Sequence, residues 1–174
     1  MTDALENPVS SVEDKRTSAT LLSRLLNAKT LSLLVLFVAI VISGYLSYLK
    51  LAPQQEAVCV SGDSFDCGVV LNSIYSEIQG VPIAYLGLAT NLIIVALLVL
   101  EGAVPFLRTY GPFLVFGVVL FAFVFSVYLV YVQAALLRSY CPWCLTHEAL
   151  ITVLFVLSGW RLLNWSSKDE LEDA

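Results

Sequence analysis

Charge is scarce in this chain, absent from three long stretches and nearly absent from a fourth. Only 13% of its 174 residues are Asp, Glu, Lys or Arg, about half the share of an ordinary soluble domain. Segments of about ten residues that alternate apolar and polar side chains are also missing, which excludes a membrane β-barrel. No internal repeat and no low-complexity linker divides the chain. The first apolar stretch is too long for a signal peptide, and no small-residue cleavage site surrounds Val58-Cys59, so cleavage is not expected. Nine basic residues face fourteen acidic ones, for a formal net charge of −5. They form no basic stripe, so no nucleic-acid partner is expected. Cysteine is limited to four residues and histidine to His147.

Apolar residues take the place of charge. They make up 59% of the chain and gather in four blocks, Leu31–Leu49, Ala84–Leu100, Phe113–Ala135 and Cys144–Trp160. Each is long enough to cross about 30 Å of hydrocarbon as a helix. The fold class expected is therefore an all-α membrane protein, a bundle of four transmembrane helices. A polar tail over 1–28, its first 20 residues lacking regular structure, would precede a four-helix membrane domain over 29–162, and an acidic tail over 163–174 would follow it. Orientation follows Lys and Arg. Lys15, Arg16, Arg24, Lys29, Arg108, Arg161 and Lys168 fall on one side, and Lys50 and Arg138 on the other. Both termini and a 101–112 loop are thus expected in the cytoplasm of a multi-pass protein of the inner (plasma) membrane. The loop at about 50–82 and a 136–141 turn would lie outside.

Within that outer loop, Val70, Leu71, Ile74, Tyr75 and Ile78 recur at helical spacing. They predict a short amphipathic helix lying apolar face down over the bundle. Gly80 would end it, and Pro82 would open the second spanning helix.

All four cysteines fall at the outer edge, where disulfides persist. Cys59 and Cys67 lie in the loop. Cys141-Pro142-Trp143-Cys144 heads the last apolar block. At a helix start, positions i and i+3 share a face, close enough to bridge or to open. Pro142 suits the first turn, where its missing N–H needs no partner. The positive end of the helix dipole favours thiolate, the nucleophile of disulfide exchange. C-P-W-C at the mouth of a membrane helix therefore reads as redox-active. The C-x7-C and C-x2-C spacings do not match a zinc ribbon, and no metal is expected.

The order Cys59-x7-Cys67, then Ser73, then Gly80, Pro82 and Gly87, then Cys141-Pro142-Trp143-Cys144 resembles the vitamin K epoxide reductase family over roughly residues 30–160. The bacterial disulfide-bond protein B family runs related chemistry with its CxxC early and its loop pair late, the reverse of the order here. The resemblance implies a four-helix bundle around a membrane quinone, ubiquinone or menaquinone, as electron acceptor. It also implies roles. Cys59 faces the protein partner, Cys67 shuttles to Cys141, Cys144 sits beside the quinone ring, and Ser73 matches a hydroxyl of the family's loop. Many bacterial members carry a fused thioredoxin-like domain, and the chain stops nine residues after Trp165. A separate periplasmic thioredoxin-fold thiol oxidase, DsbA-like, is the partner expected. Mammalian members have a tyrosine where this chain has Glu148, which favours plain quinone over epoxide.

Glu148, at i+4 from Cys144, is a candidate proton donor. His147 is expected at the surface of the bundle mouth. Asn91 and Gln133 are expected to make interhelical hydrogen bonds. Phe121, Phe125, Tyr128 and Tyr131 run along one helical stripe, and Phe125 and Tyr128 are candidate ring-binding residues. The reading that follows is a membrane thiol oxidase passing electrons from the partner through Cys59/Cys67 to Cys141/Cys144 and on to quinone. Its alternatives are a quinone-epoxide reductase using the same relay and a tetraspan scaffold with structural disulfides.

Overall fold

A computed structural model describes residues 8–51 and 65–172, with side-chain detail for 28–51 and 65–166. Cys59 lies outside the described residues. Four helices are long and apolar enough to span a bilayer, and they define a multi-pass membrane protein: α1 (Pro8–Leu51), α3 (Ile83–Leu100), α4 (Pro105–Tyr131) and α5 (Pro142–Glu172). Only 17% of the apolar window of α3 is buried inside the bundle. The rest of that surface is left for lipid, the one solvent that accepts it. The helices form a ring in which α1 packs on α3, α3 on α4, α4 on α5, and α5 back on α1.

The starts of α1 and α4 depart from expectation. Where the polar N-terminal tail was expected to lack structure, α1 already starts at Pro8. The connection expected over 101–112 shrinks to 101–104, because α4 begins at Pro105. Pro105 occupies the first helical turn, where a missing N–H costs nothing. Pro112 is carried inside the helix and buried, within its first turns. Glycine at 111 leaves room for a close approach: a Cβ there would lie 3.1 Å from Cγ of Glu101 and press on that side chain. That carboxylate is bonded to Arg161 of α5, so the α3–α4 corner, α4 and α5 meet at one buried ion pair.

At the other end, 65–82 folds into a lid. Its helix α2 covers only Cys67–Leu71, capped by Asp66, whose carboxylate accepts from Val69 N at 3.0 Å. The longer helix anticipated through Ile78 does not form. Asn72 Nδ2 donates to Gly68 O and Ser73 Oγ to Val70 O, at 3.0 and 2.9 Å. These local bonds replace the helical ladder. A 3-10 turn follows (Ile74–Ser76), and Ile74, placed face down by the periodicity, is 85% exposed. Strands β1 (Glu77–Ile78) and β2 (Val81–Pro82) then pair antiparallel through a tight turn. Gln79 and Gly80 both have positive φ, 52° and 81°, as a two-residue type I′ connection demands. Pro82 caps α3 as anticipated.

Candidate active site

The cysteine end of the bundle is organised around Cys141. A single bridge joins Phe65 to Tyr140, with Asp66 N donating to Tyr140 O at 3.2 Å. It draws the start of the lid alongside the chain entering α5. Cys67 and Cys141, on different elements, thereby enter one buried cluster with Ile42, Leu46 and Leu49 of α1. Both sulfur-bearing side chains are sealed, at 2% and 0% exposure. Cys67 is held in a disulfide, whereas Cys141 and Cys144 are free thiols. Trp143 stacks edge-on against Tyr45 of α1 at 5.3 Å, and Trp143 and Cys144 both pack against the cluster.

Cys141 precedes α5, and its surroundings favour the thiolate. The Cys144 side chain hydrogen-bonds to it, and Cys144 N donates to Cys141 Sγ at 3.3 Å. Together these hold its thiol below the ordinary cysteine value, although burial acts the other way. Its own amide donates to Gln133 Oε1 at 2.9 Å. Gln133 belongs to a π-helical segment (Val132–Leu137) that continues α4 and ends at Arg138 in the left-handed region, φ 51°.

Below the lid lies a cavity of about 500 Å³, a size that takes a small organic ligand. Cys144 borders it, with Ser73, Phe125 and Glu148 among the residues singled out by sequence. Tyr128 does not. Its ring packs near Phe125 at 6.1 Å and is half exposed, because the aromatic stripe of α4 faces largely outward. His147, expected at the surface, is instead in the cavity wall, where its Nε2 lies 3.0 Å from Asn91 Nδ2. The reason is the helical turn that brings positions 144, 147 and 148 to one side. Asn91 is fully buried and also donates to Ser43 Oγ of α1 at 3.3 Å, while its Oδ1 has no partner. Glu148 is 8% exposed, and the two ion pairs among the described residues do not involve it. Among the same residues no cluster of three or more His, Cys, Asp and Glu could hold a metal.

Sequence reasoning missed Lys50. Its Nζ reaches from the end of α1 to Ser76 Oγ and Glu77 Oε1, both at 3.1 Å, and ties the lid to the bundle. Ser76 Oγ in turn donates to Ser73 O at 2.8 Å. A charged residue closing an apolar block was the available signal, and it was spent on orientation alone. The hydroxyl hydrogen of Ser73 is committed to the lid backbone, so toward the cavity this side chain can only accept.

An apolar cavity with a few buried amides and an acid on its wall, and a thiol at its edge, is an arrangement that suits thiol redox chemistry beside a small organic ligand. Comparison with known proteins points the same way. The model of the vitamin K epoxide reductase family matches residues 30–159. A thiol-disulfide oxidoreductase of Arabidopsis thaliana, LTO1, is 35% identical over 121 residues, which is 67% of this chain and 32% of the plant protein. The chain thus spans about a third of that relative's length.

Proposed function

From the premise that the chain belongs to the vitamin K epoxide reductase family, we propose that it is a membrane thiol:quinone oxidoreductase sustaining disulfide formation outside the cell. The observation that carries this reading is the meeting of Cys67 and Cys141 in one buried cluster, with Cys144 packed against it and bordering a ligand-sized cavity. Two cysteine pairs joined in that way form a relay rather than two isolated braces.

Electrons enter from a separate thioredoxin-fold protein, DsbA-like, in its dithiol form. One partner thiolate attacks Cys59 of a Cys59–Cys67 disulfide, and Cys67 leaves as thiolate. The partner's second thiolate then releases Cys59, so the partner departs oxidised and the loop pair is reduced. Cys67 attacks Cys141 of the oxidised C-P-W-C, Cys144 leaves, and Cys59 completes the exchange. The Cys67 disulfide together with the free Cys141 and Cys144 thiols corresponds to a stage at which the inner pair is charged with two electrons. A bound quinone supplies an acceptor for two electrons and two protons, so dithiol plus quinone becomes disulfide plus quinol. Cys144 faces that acceptor and Cys141 resolves behind it. Glu148, one turn deeper, delivers a proton toward the ring, and Phe125 packs its face. The seven-to-two division of basic residues supports cytoplasmic termini and cysteines on the periplasmic side of the inner membrane.

The test is coupled turnover in purified protein. A reduced thioredoxin-fold partner and a short-chain ubiquinone or menaquinone should be consumed one for one, with partner disulfide and quinol as products. Quinone that stays oxidised while partner thiols are consumed would overturn the acceptor assignment. Glu148→Gln should slow quinol formation by about 10²-fold and leave exchange between the two cysteine pairs at its native rate.

A further inference from the structure

Gln133 has one amide end in use and one without a partner, and the geometry decides which is which. A backbone N–H can only donate, so the atom 2.9 Å from Cys141 N must be the carbonyl Oε1. The nitrogen Nε2, with two N–H donors, is therefore directed away from the CxxC. The side chain is 3% exposed and borders the cavity together with Cys144. Among the described residues Nε2 has no hydrogen-bond acceptor. The chain also departs from α-helical winding at this point, and wide turns of that kind recur at functional sites.

We propose that Gln133 is an acceptor-binding residue: its Nε2 donates to a carbonyl oxygen of the ring held beside Cys144, while its Oε1 fixes the backbone of Cys141. This rests on the quinone reading of the cavity. Asn91 has the opposite polarity, an unpartnered oxygen that suits a hydroxyl, so it does not compete for a carbonyl. A donor aimed at a ring carbonyl draws electron density outward and makes the ring a better acceptor. One side chain thus links the reacting dithiol to the group it reduces.

The test separates ring recognition from wall packing. Gln133→Met and Gln133→Leu are compared with native protein for binding a short-chain naphthoquinone and the naphthalene of the same chain, which lacks carbonyls. Quenching of tryptophan emission in detergent reads both. The quinone should bind about tenfold more weakly to the variants, the equivalent of one lost hydrogen bond, and the naphthalene should bind equally to all three. Equal losses for both ligands would make Gln133 a piece of wall and overturn the proposal, as would no loss for either. Should neither variant fold, the infrared carbonyl bands of the quinone bound to native protein decide. A band lowered from its position in hydrocarbon supports a donor, and unshifted bands overturn it. If native protein binds the naphthalene but not the quinone, the quinone reading falls and this inference with it. If it binds both and the variants bind the quinone as native protein does, this inference alone fails.

Discussion

Toward the termini the four helices are filled by Leu36, Ile94, Leu98, Val115, Val119, Ile151 and Leu154, each no more than 4% exposed. Toward the cysteines the same helices part around a cavity of about 500 Å³. Lipid gives apolar side chains no reason to avoid it, so helices there hold together by close packing and hydrogen bonds. The filled half uses packing and is locked by the Glu101–Arg161 pair. The hollow half cannot pack across its own cavity. It is held by directed bonds instead: Asn91 ties α3 to α1 and α5, Gln133 ties the end of α4 to the start of α5, and Lys50 ties α1 to the lid. Polar residues that would be a burden elsewhere in the membrane are what hold the walls of the cavity together.

The sharpest way to break this contrast is through the cysteines. Cys141→Ala and Cys144→Ala should each abolish thiol-dependent quinone reduction and leave thermal stability close to native. Cys67→Ala should abolish oxidation of the protein partner alone. A small dithiol that reaches the CxxC should still support quinone reduction in that variant. Normal oxidation of the partner by Cys67→Ala protein would show that the lid pair is structural.

The lock of the filled half should fail differently. Glu101→Ala leaves the Arg161 guanidinium buried without its anion, and breaking such a pair costs about 3–5 kcal/mol. Unfolding in detergent should occur at a markedly lower temperature, while turnover per folded molecule stays native. A variant as stable as native protein would mean that the corner is held by packing alone.

Leu98→Ala and Leu129→Ala compare the halves directly. Leu98 is 1% exposed in the filled core, and Leu129 borders the cavity. The first should cost about 2 kcal/mol, the low end for such a truncation, because lipid removes part of the transfer contribution. The second only enlarges a space that already exists and should cost well under half as much. Equal losses would mean that the cavity closes in solution.

Legibility in the sequence followed the same division. Block length and the absence of charge were enough for the four spans, because a bilayer imposes one length on any helix that crosses it. The C-P-W-C pattern was enough for its place at the head of α5. The lid was harder. Val70 to Ile78 carries a helical period, but Asn72 and Ser73 bond to their own backbone and end the helix, a competition that periodicity does not register. The Phe121–Tyr131 stripe misled in another way, since in lipid an aromatic stripe faces outward as readily as inward, and Tyr128 does so. Gln133 and His147 were visible as polar residues in apolar blocks. Their partners, a backbone amide eight residues on and an asparagine 56 residues back, depend on how the helices close.

The smallest expected effect, and the most local, is on the acidity of Cys141. Its thiol is held down first by the Cys144 side chain and then by the amides of Cys144 and Trp143, with burial opposing. A lowered value means that the thiolate survives to more acidic pH than in an ordinary cysteine, which titrates near about 8.5. Nucleophilicity is lost only as pH falls through that lowered value. In a Cys59→Ala/Cys67→Ala background, the rate at which Cys141 reacts with a small methanethiosulfonate should therefore show a midpoint below the ordinary one. Adding Cys144→Ala removes the largest stabilising contact and leaves burial less opposed, so the midpoint should move up. Cys144→Ser restores a hydrogen-bond donor at the same place and should bring it part of the way back. If all three proteins share one midpoint, the Cys144 side chain does not tune Cys141, and the thiolate is favoured by the helix start alone. The hollow half would then owe its chemistry to backbone placement, as the filled half owes its stability to side-chain fit.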